Sequence, residues 1–237
     1  MLRMSEVDHQ AMQHMLTSSA IDWNGLGEQI ARETDALLGG LEAILIIDES
    51  GFAKKGEASA GVARQWNGRL GKVDNCQVGV FASMCQNGMA SLIDAHLYLP
   101  EHWMGDTDRC NKAAIPEEHQ HYQSKCEIAL SMIETAKQRE VRIGYIGIDG
   151  GYGKDPRFLR GIDNLGHTFV ADVHCRQMIY REDPMPHIPV WNGRGRQPKQ
   201  LKAQSEAIRV DQWASEQSVT AWRRIRLRDG EKGELEA

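Results

Sequence analysis

Two aspartates stand where short apolar runs end. Ile44-Leu45-Ile46-Ile47 leads into Asp48, and Val141-Arg142-Ile143-Gly144-Tyr145-Ile146-Gly147-Ile148 leads into Asp149. The first run is short, β-branched and not alternating, so it reads as a strand buried on both faces. A carboxylate at the exit of such a strand sits at the edge of a sheet, where open α/β folds place their sites. If the two strands are neighbours, the two carboxylates repel unless a cation lies between them. Donor sets made of oxygen alone suit Mg²⁺ or Mn²⁺. Paired ions of this kind serve phosphodiester hydrolysis and transfer. Asp48 taken alone is equally readable as an acid that caps a turn.

The neighbours of the two acids divide by residue type. Glu49 follows Asp48 directly, so its side chain should point to the other side of the strand, which suits a structural or solvent-facing role. Lys54 and Lys55 lie in a glycine-rich loop just beyond and suit either phosphate contact or a solvated surface. Tyr152 and Lys154 follow the second acid closely and are candidates for the same contact. Gly150 and Gly151 would let backbone approach a metal or phosphate. His119 and His121 have no carboxylate or cysteine at ligand spacing and read as surface histidines. Two basic stretches remain: Arg194, Arg196 and Lys199 in a loop, and the alternating run from Arg223 to Arg228. Phosphate contacts from such residues give affinity without sequence readout. Trp191, Trp213 and Trp222 read as packing residues.

Composition limits the classes available. The chain has 237 residues, 41% of them apolar, and a formal net charge of −5, so no global basic field announces a polyanion. No apolar run reaches the roughly 20 residues of a membrane span, and the first residues lack a signal-peptide core. The five cysteines form no C-x-x-C pair, as expected of reduced thiols in a cytoplasmic protein.

The elements that must position the acids can be read in order. Residues 1–40 form a helical N-terminal segment, with Ser18-Ser19 and Asp22 available as N-caps and Gly39-Gly40 at its end. Residues 41–174 form an α/β core. Its strands are Ile44–Ile47, Cys76–Met84 and Ala90–Leu99, the last two joined at the hairpin turn Asn87-Gly88, with a further extended segment at Val62–Trp66. Residues 101–123 are polar and irregular. A helix from Lys125 to Arg139 is capped by Ser124. After the second acidic strand comes a short helix opened by Asp155-Pro156, and then a strand at His167–Val173. Residues 175–237 hold the basic loop, short helical pieces near Val210 and Thr220, and the start of a β-rich insertion. Three antiparallel strands followed by two helical crossovers give a mixed sheet with helices on both faces.

This order is that of the ribonuclease H-like fold, in which the two acidic strands lie side by side. The residues then carry a family resemblance. Ile46-Ile47-Asp48-Glu49-Ser50-Gly51-Phe52, Lys54-Lys55-Gly56, Gly61-Val62-Ala63-Arg64-Gln65-Trp66 and Asn75-Cys76-Gln77-Val78-Gly79-Val80-Phe81 resemble the DDE-superfamily transposases of bacterial insertion sequences. Leu97-Tyr98-Leu99-Pro100 with Trp103, Ala114-Ile115-Pro116-Glu117, and Asp149-Gly150-Gly151-Tyr152-Gly153-Lys154-Asp155 do so as well, in the same order.

The resemblance implies a metal-dependent nucleotidyl transferase that cuts element ends and joins them to target DNA. Asp48 and Asp149 would be its first two catalytic, metal-binding acids, with Mg²⁺ or Mn²⁺ as cofactor. Its partners would be DNA and either a second copy of the chain or a full-length transposase. The family's third acid is a glutamate in a Trp-x-Ile-Glu-like helix, and the sequence has none. Glu231, Glu234 and Glu236 stand in a turn-and-strand context instead. The start also falls late in the family pattern, so the chain resembles a fragment truncated at both ends. Three activities stay open on these residues: a transposase domain inactive by itself, a regulatory fragment that binds DNA or a transposase, and a ribonuclease H-like nuclease of another type.

Overall fold

The computed structural model describes residues 9–18, 20–223, 226–230 and 233–236. The chain divides into two compact units, residues 1–171 and residues 172–237. The first begins with helices α1 (His9–Ser18) and α2 (Trp23–Leu38), and the Asp22 carboxylate caps α2 by accepting from the Gly25 N–H. The strands β1 (Gly40–Ala53), β2 (Ala63–Asn67), β3 (Lys72–Gln86) and β4 (Met89–Tyr98) follow. Asn87 and Gly88 both take positive φ, as the tight β3–β4 hairpin requires. Next come the short helices α3 (Glu101–Met104) and α4 (Thr107–Lys112), then α5 (Lys125–Gln138), β5 (Ile143–Ile148), α6 (Gly150–Gly153), α7 (Pro156–Asn164) and β6 (Thr168–Ala171).

All six strands form one mixed sheet. β1 is central, antiparallel to β3 and parallel to β5, and β6 continues in parallel beyond β5. The long β3 pairs on its other edge with β2 over its first residues and with β4 over the rest. The two acidic strands are therefore neighbours, and the sheet has the mixed order and helical crossovers of a ribonuclease H-like core.

Burial along β1 differs from expectation. Ala43, Leu45 and Ile47 are buried, whereas Ile44 and Ile46 are each 38% exposed. The apolar run is buried on one face rather than two. The reason lies in the helices. Ala31 and Leu38 of α2, Ile128, Ala129, Met132, Ile133 and Ala136 of α5, and Phe158 and Ile162 of α7 all join one core cluster. Leu45, Ile47, Val80, Ala82, Met84, Ile146 and Ile148 of the sheet belong to the same cluster. Burial of each Leu, Ile, Val, Met or Phe among them is worth roughly 1.5–3 kcal/mol. The opposite face carries Ile44, Ile46, Tyr145, Val170 and Leu92, all exposed.

The expectation of an irregular segment at 101–123 also needs correction. Trp103 is fully buried in a second cluster with Val62, Cys110 and Ile115, to which α3 contributes Trp103 and α4 contributes Cys110. Gly39 ends α2 with extended rather than left-handed backbone. There Asp35 accepts from the Arg142 backbone N–H and guanidinium, tying the helix end to the chain entering β5.

The second unit holds the β7–β8 pair (Met178–Ile179 and Ile208–Arg209), helix α8 (Val210–Ser215) and the β9–β10 hairpin (Arg226–Gly230 and Gly233–Glu236). Within it His187 and Lys202 form an isolated antiparallel bridge. No helix among the described residues is long and apolar enough to cross a membrane.

Candidate functional site

Asp48 and Asp149 lie one step beyond the last paired residues of two adjacent parallel strands, Ile47 and Ile148. Ile47 and Ile148 point into the core, so alternation turns both aspartates to the opposite, open face. Asp149 keeps extended backbone, which carries the alternation through to it. Neighbouring strands run about 4.8 Å apart, which sets the scale of the separation between the two acids.

Each carboxylate is fixed through one oxygen. Asp48 Oδ1 accepts the Glu49 N–H at 2.7 Å. Asp149 Oδ1 accepts the N–H groups of Gly151 at 2.9 Å and Tyr152 at 3.2 Å. Oδ2 of each makes no hydrogen bond among the described residues. Two oriented carboxylates, each with an oxygen to spare, suit a hard divalent cation. Among the described residues no group of three His, Cys, Asp or Glu side chains is placed to hold a metal.

The other expected residues divide by position. Glu49 points away from Asp48, and its carboxylate meets Lys125 Nζ at 2.7 Å. That ammonium also lies 5.2 Å from the centre of the Tyr98 ring. Lys54, Lys55 and Lys154 are exposed. Tyr152 is not on the surface a nucleic acid would touch. Its ring is 3% exposed, packs on Phe158 at 5.7 Å, and carries a buried hydroxyl with no partner among the described residues. The cause is local: by capping α6, Asp149 folds residues 150–153 into a helical turn that aims Tyr152 inward. Burial, reinforced by the negative field of Glu49, pushes the phenol pKa well up.

His119 and His121 are exposed and line a cavity of about 420 Å³ with His96, Leu99, Ile115 and Ile128, which does not include the two acids. In the second unit Arg194, Arg196 and Lys199 are exposed, and the Trp191 indole donates to the Arg194 carbonyl at 3.2 Å. The Arg223–Arg228 run lies in part outside the described residues.

Sequence reasoning missed how the lysine loop is held. Asn75 Nδ2 donates to the carbonyls of Lys54 at 3.0 Å and Gly56 at 2.8 Å, and Gln77 Nε2 donates to that of Ala60 at 2.6 Å. Arg109 stacks 3.7 Å over Trp103 and donates to the Glu57 carbonyl at 3.1 Å, while the Trp103 indole donates to Val62 at 3.0 Å. Gly61 closes the loop at φ +70°, and a Cβ there would stand 2.7 Å from the Tyr98 carbonyl oxygen. The signal was available in the amides at 75 and 77 and in Trp103, all of which belong to the family-like motifs.

The sequence matches the DDE superfamily endonuclease family over residues 1–234. It is 27% identical over 175 residues to a protein described as a probable transposase for insertion sequence element IS701, from Microchaete diplosiphon. That alignment covers 73% of this chain and 42% of the relative, so the chain spans less than half the length of the curated relative it matches. No solved structure matches the chain. The whole-length match, together with two strand-end aspartates in register on a ribonuclease H-like sheet, assigns the chain to the DDE superfamily of endonucleases.

Proposed function

We propose that this chain carries the first two acids of an insertion-sequence transposase, a metal-dependent enzyme that cuts element ends and joins the freed 3′-hydroxyl to target DNA. The observation that carries the reading is the register of Asp48 with Asp149 on one face of adjacent strands, each with an oxygen left unbonded. Members of the superfamily use divalent metals. Here Mg²⁺ or Mn²⁺ would be held by Asp48 and Asp149, and when bound would supply Lewis acidity and an activated nucleophile for in-line phosphoryl transfer. The chain's own part is to hold the two carboxylates. The Glu49 N–H orients the first, and the Gly151 and Tyr152 N–H groups orient the second, so neither has to reorganise during reaction.

The third acid would come from a segment other than the described residues. The family pattern supports this, since its third acid is a glutamate on a Trp-x-Ile-Glu-like helix that the sequence does not contain. The exposed face around Ile44, Ile46, Tyr145 and Val170 is where such a segment would pack. By itself the chain would then bind DNA and metal weakly and not cleave. Exposed Lys54, Lys55 and Lys154 in the first unit and Arg194, Arg196 and Lys199 in the second would contact DNA phosphates.

Calorimetric titration with Mn²⁺ tests the site. Wild type should bind weakly, and Asp48→Ala and Asp149→Ala should each abolish the signal while the circular dichroism spectrum is unchanged. Identical titrations for wild type and Asp48→Ala would overturn the assignment. Cleavage of element-end DNA by this chain alone would overturn the outside origin of the third acid.

A further inference from the structure

Beyond Asp48, β1 runs on for five residues, and the sheet there carries exposed aromatic rings on the same face as the acid. Asp48 pairs with Phe81, Ser50 with Gly79 and Phe52 with Gln77, so Asp48, Phe52 and Phe81 share one face. Trp66 pairs with Val73, and Arg64 with Asn75, which puts Trp66 and Arg64 on that face as well. Gly79 leaves room for the Phe81 ring, since a Cβ there would stand 2.7 Å from it. Phe81 thus leans along the strand to meet Phe52 edge-on at 6.1 Å. Phe52 is 42% exposed and Trp66 54% exposed, high values for large aromatic side chains within a sheet.

The charge of this region runs against that of the whole molecule. The chain carries a net −5, yet residues 52–74 hold Lys54, Lys55, Arg64, Arg69 and Lys72 against Glu57 and Asp74, the latter paired with Lys72 at 3.4 Å. The loop bearing both lysines is pinned from beneath by the Asn75 and Gln77 amides and from the side by Arg109.

We infer that Phe52 and Trp66 form a stacking platform for unpaired bases of a DNA strand whose backbone is held by Lys54, Lys55 and Arg64 and whose reacting phosphate lies at Asp48. Exposed rings set among cations are the chemistry of single-strand binding, because a duplex hides the base faces that would stack. Phe52 lies four residues from Asp48 on one strand, about 13 Å away, so the bases held are those flanking the reacting phosphate. The inference deepens the phosphoryl-transfer reading and rests on it. It adds that the strand is taken in an unpaired state.

Fluorescence anisotropy of the whole chain in EDTA tests it, with one labelled oligonucleotide used single-stranded and as a blunt duplex. The single strand should bind more tightly. Trp66→Ala and Phe52→Ala should each weaken single-strand binding roughly tenfold and change duplex binding less than about twofold, and Trp66→Phe should restore affinity. Lys54→Ala and Lys55→Ala should weaken both forms and lower the single-strand salt slope by about 0.7 each. Either of two results overturns the inference: Trp66→Ala and Phe52→Ala with native circular dichroism and unchanged single-strand affinity, or an equal loss for strand and duplex. EDTA removes the divalent ions, so this result is independent of the Asp48→Ala titration. Failure of the metal site with stacking retained would leave a strand-binding surface without chemistry.

Discussion

Tyr152, three residues after Asp149, buries a phenol oxygen in the core. A hydroxyl buried without a partner costs about 1–3 kcal/mol relative to one that is paired or solvated. Removing the oxygen and keeping the ring should therefore help. Tyr152→Phe is expected to stabilise the fold by about 1 kcal/mol, read as a higher urea midpoint at unchanged slope. Mn²⁺ titration should not change, because Asp149 is oriented by the Tyr152 backbone N–H rather than by its hydroxyl. A lower midpoint would show that the oxygen has a partner in solution. Spacing from Asp149 suggests an exposed loop tyrosine, and the sequence does contain the contrary signal. An aspartate before Gly-Gly can cap a helical turn, and the residue three along from such a cap can face the core. Asp48 and Asp149 themselves are legible because a charge at the end of an apolar run is expensive to place anywhere but a sheet edge.

Register between β1 and β5 is what makes a pair of the two acids, and Gly144 sets how closely those strands approach where they begin. A Cβ at Gly144 would stand 1.9 Å from the Leu41 carbonyl oxygen, at the irregularity between Gly40 and Ile44. Backbone cannot yield there as a flexible side chain would. Gly144→Ala should destabilise the protein by about 1–3 kcal/mol in a urea melt, the range of an overpacked site, and weaken Mn²⁺ binding as the strands shift. A native urea midpoint would mean that the strands separate at no cost. Elements fixed by local chemistry were legible: α2 from Asp22, α5 from its Ser124 cap, α7 from Asp155-Pro156, and the hairpin from Asn87-Gly88. Elements fixed by distant contacts were not. Helices α3 and α4 exist because Trp103 enters a pocket that includes Val62, forty-one residues earlier. The Ile44–Ile47 run reads as buried on both faces, and its one-sided burial depends on where every helix of the unit packs.

At the scale of the molecule, the buried core among the described residues lies in the first unit. Every buried residue among those described falls between Ala31 and Ile162, and residues 172–223 contribute none. The second unit is held by short strand pairs and by exposed ion pairs such as Arg181–Glu216 and Arg209–Asp211, which add little stability. A chain ending at Ala171 should therefore fold with a thermal midpoint within about 4 °C of the full chain, equivalent to roughly 1 kcal/mol at this size. It should also keep the Mn²⁺ response, since Asp48 and Asp149 both remain. Its affinity for duplex DNA should fall. Its salt slope should drop by about 0.9 for each phosphate that Arg194, Arg196 and Lys199 no longer neutralise. Disappearance of a cooperative melt would show that the second unit completes the core. Native duplex affinity in the shortened chain would confine DNA binding to the sheet, leaving the basic loop without a part in it.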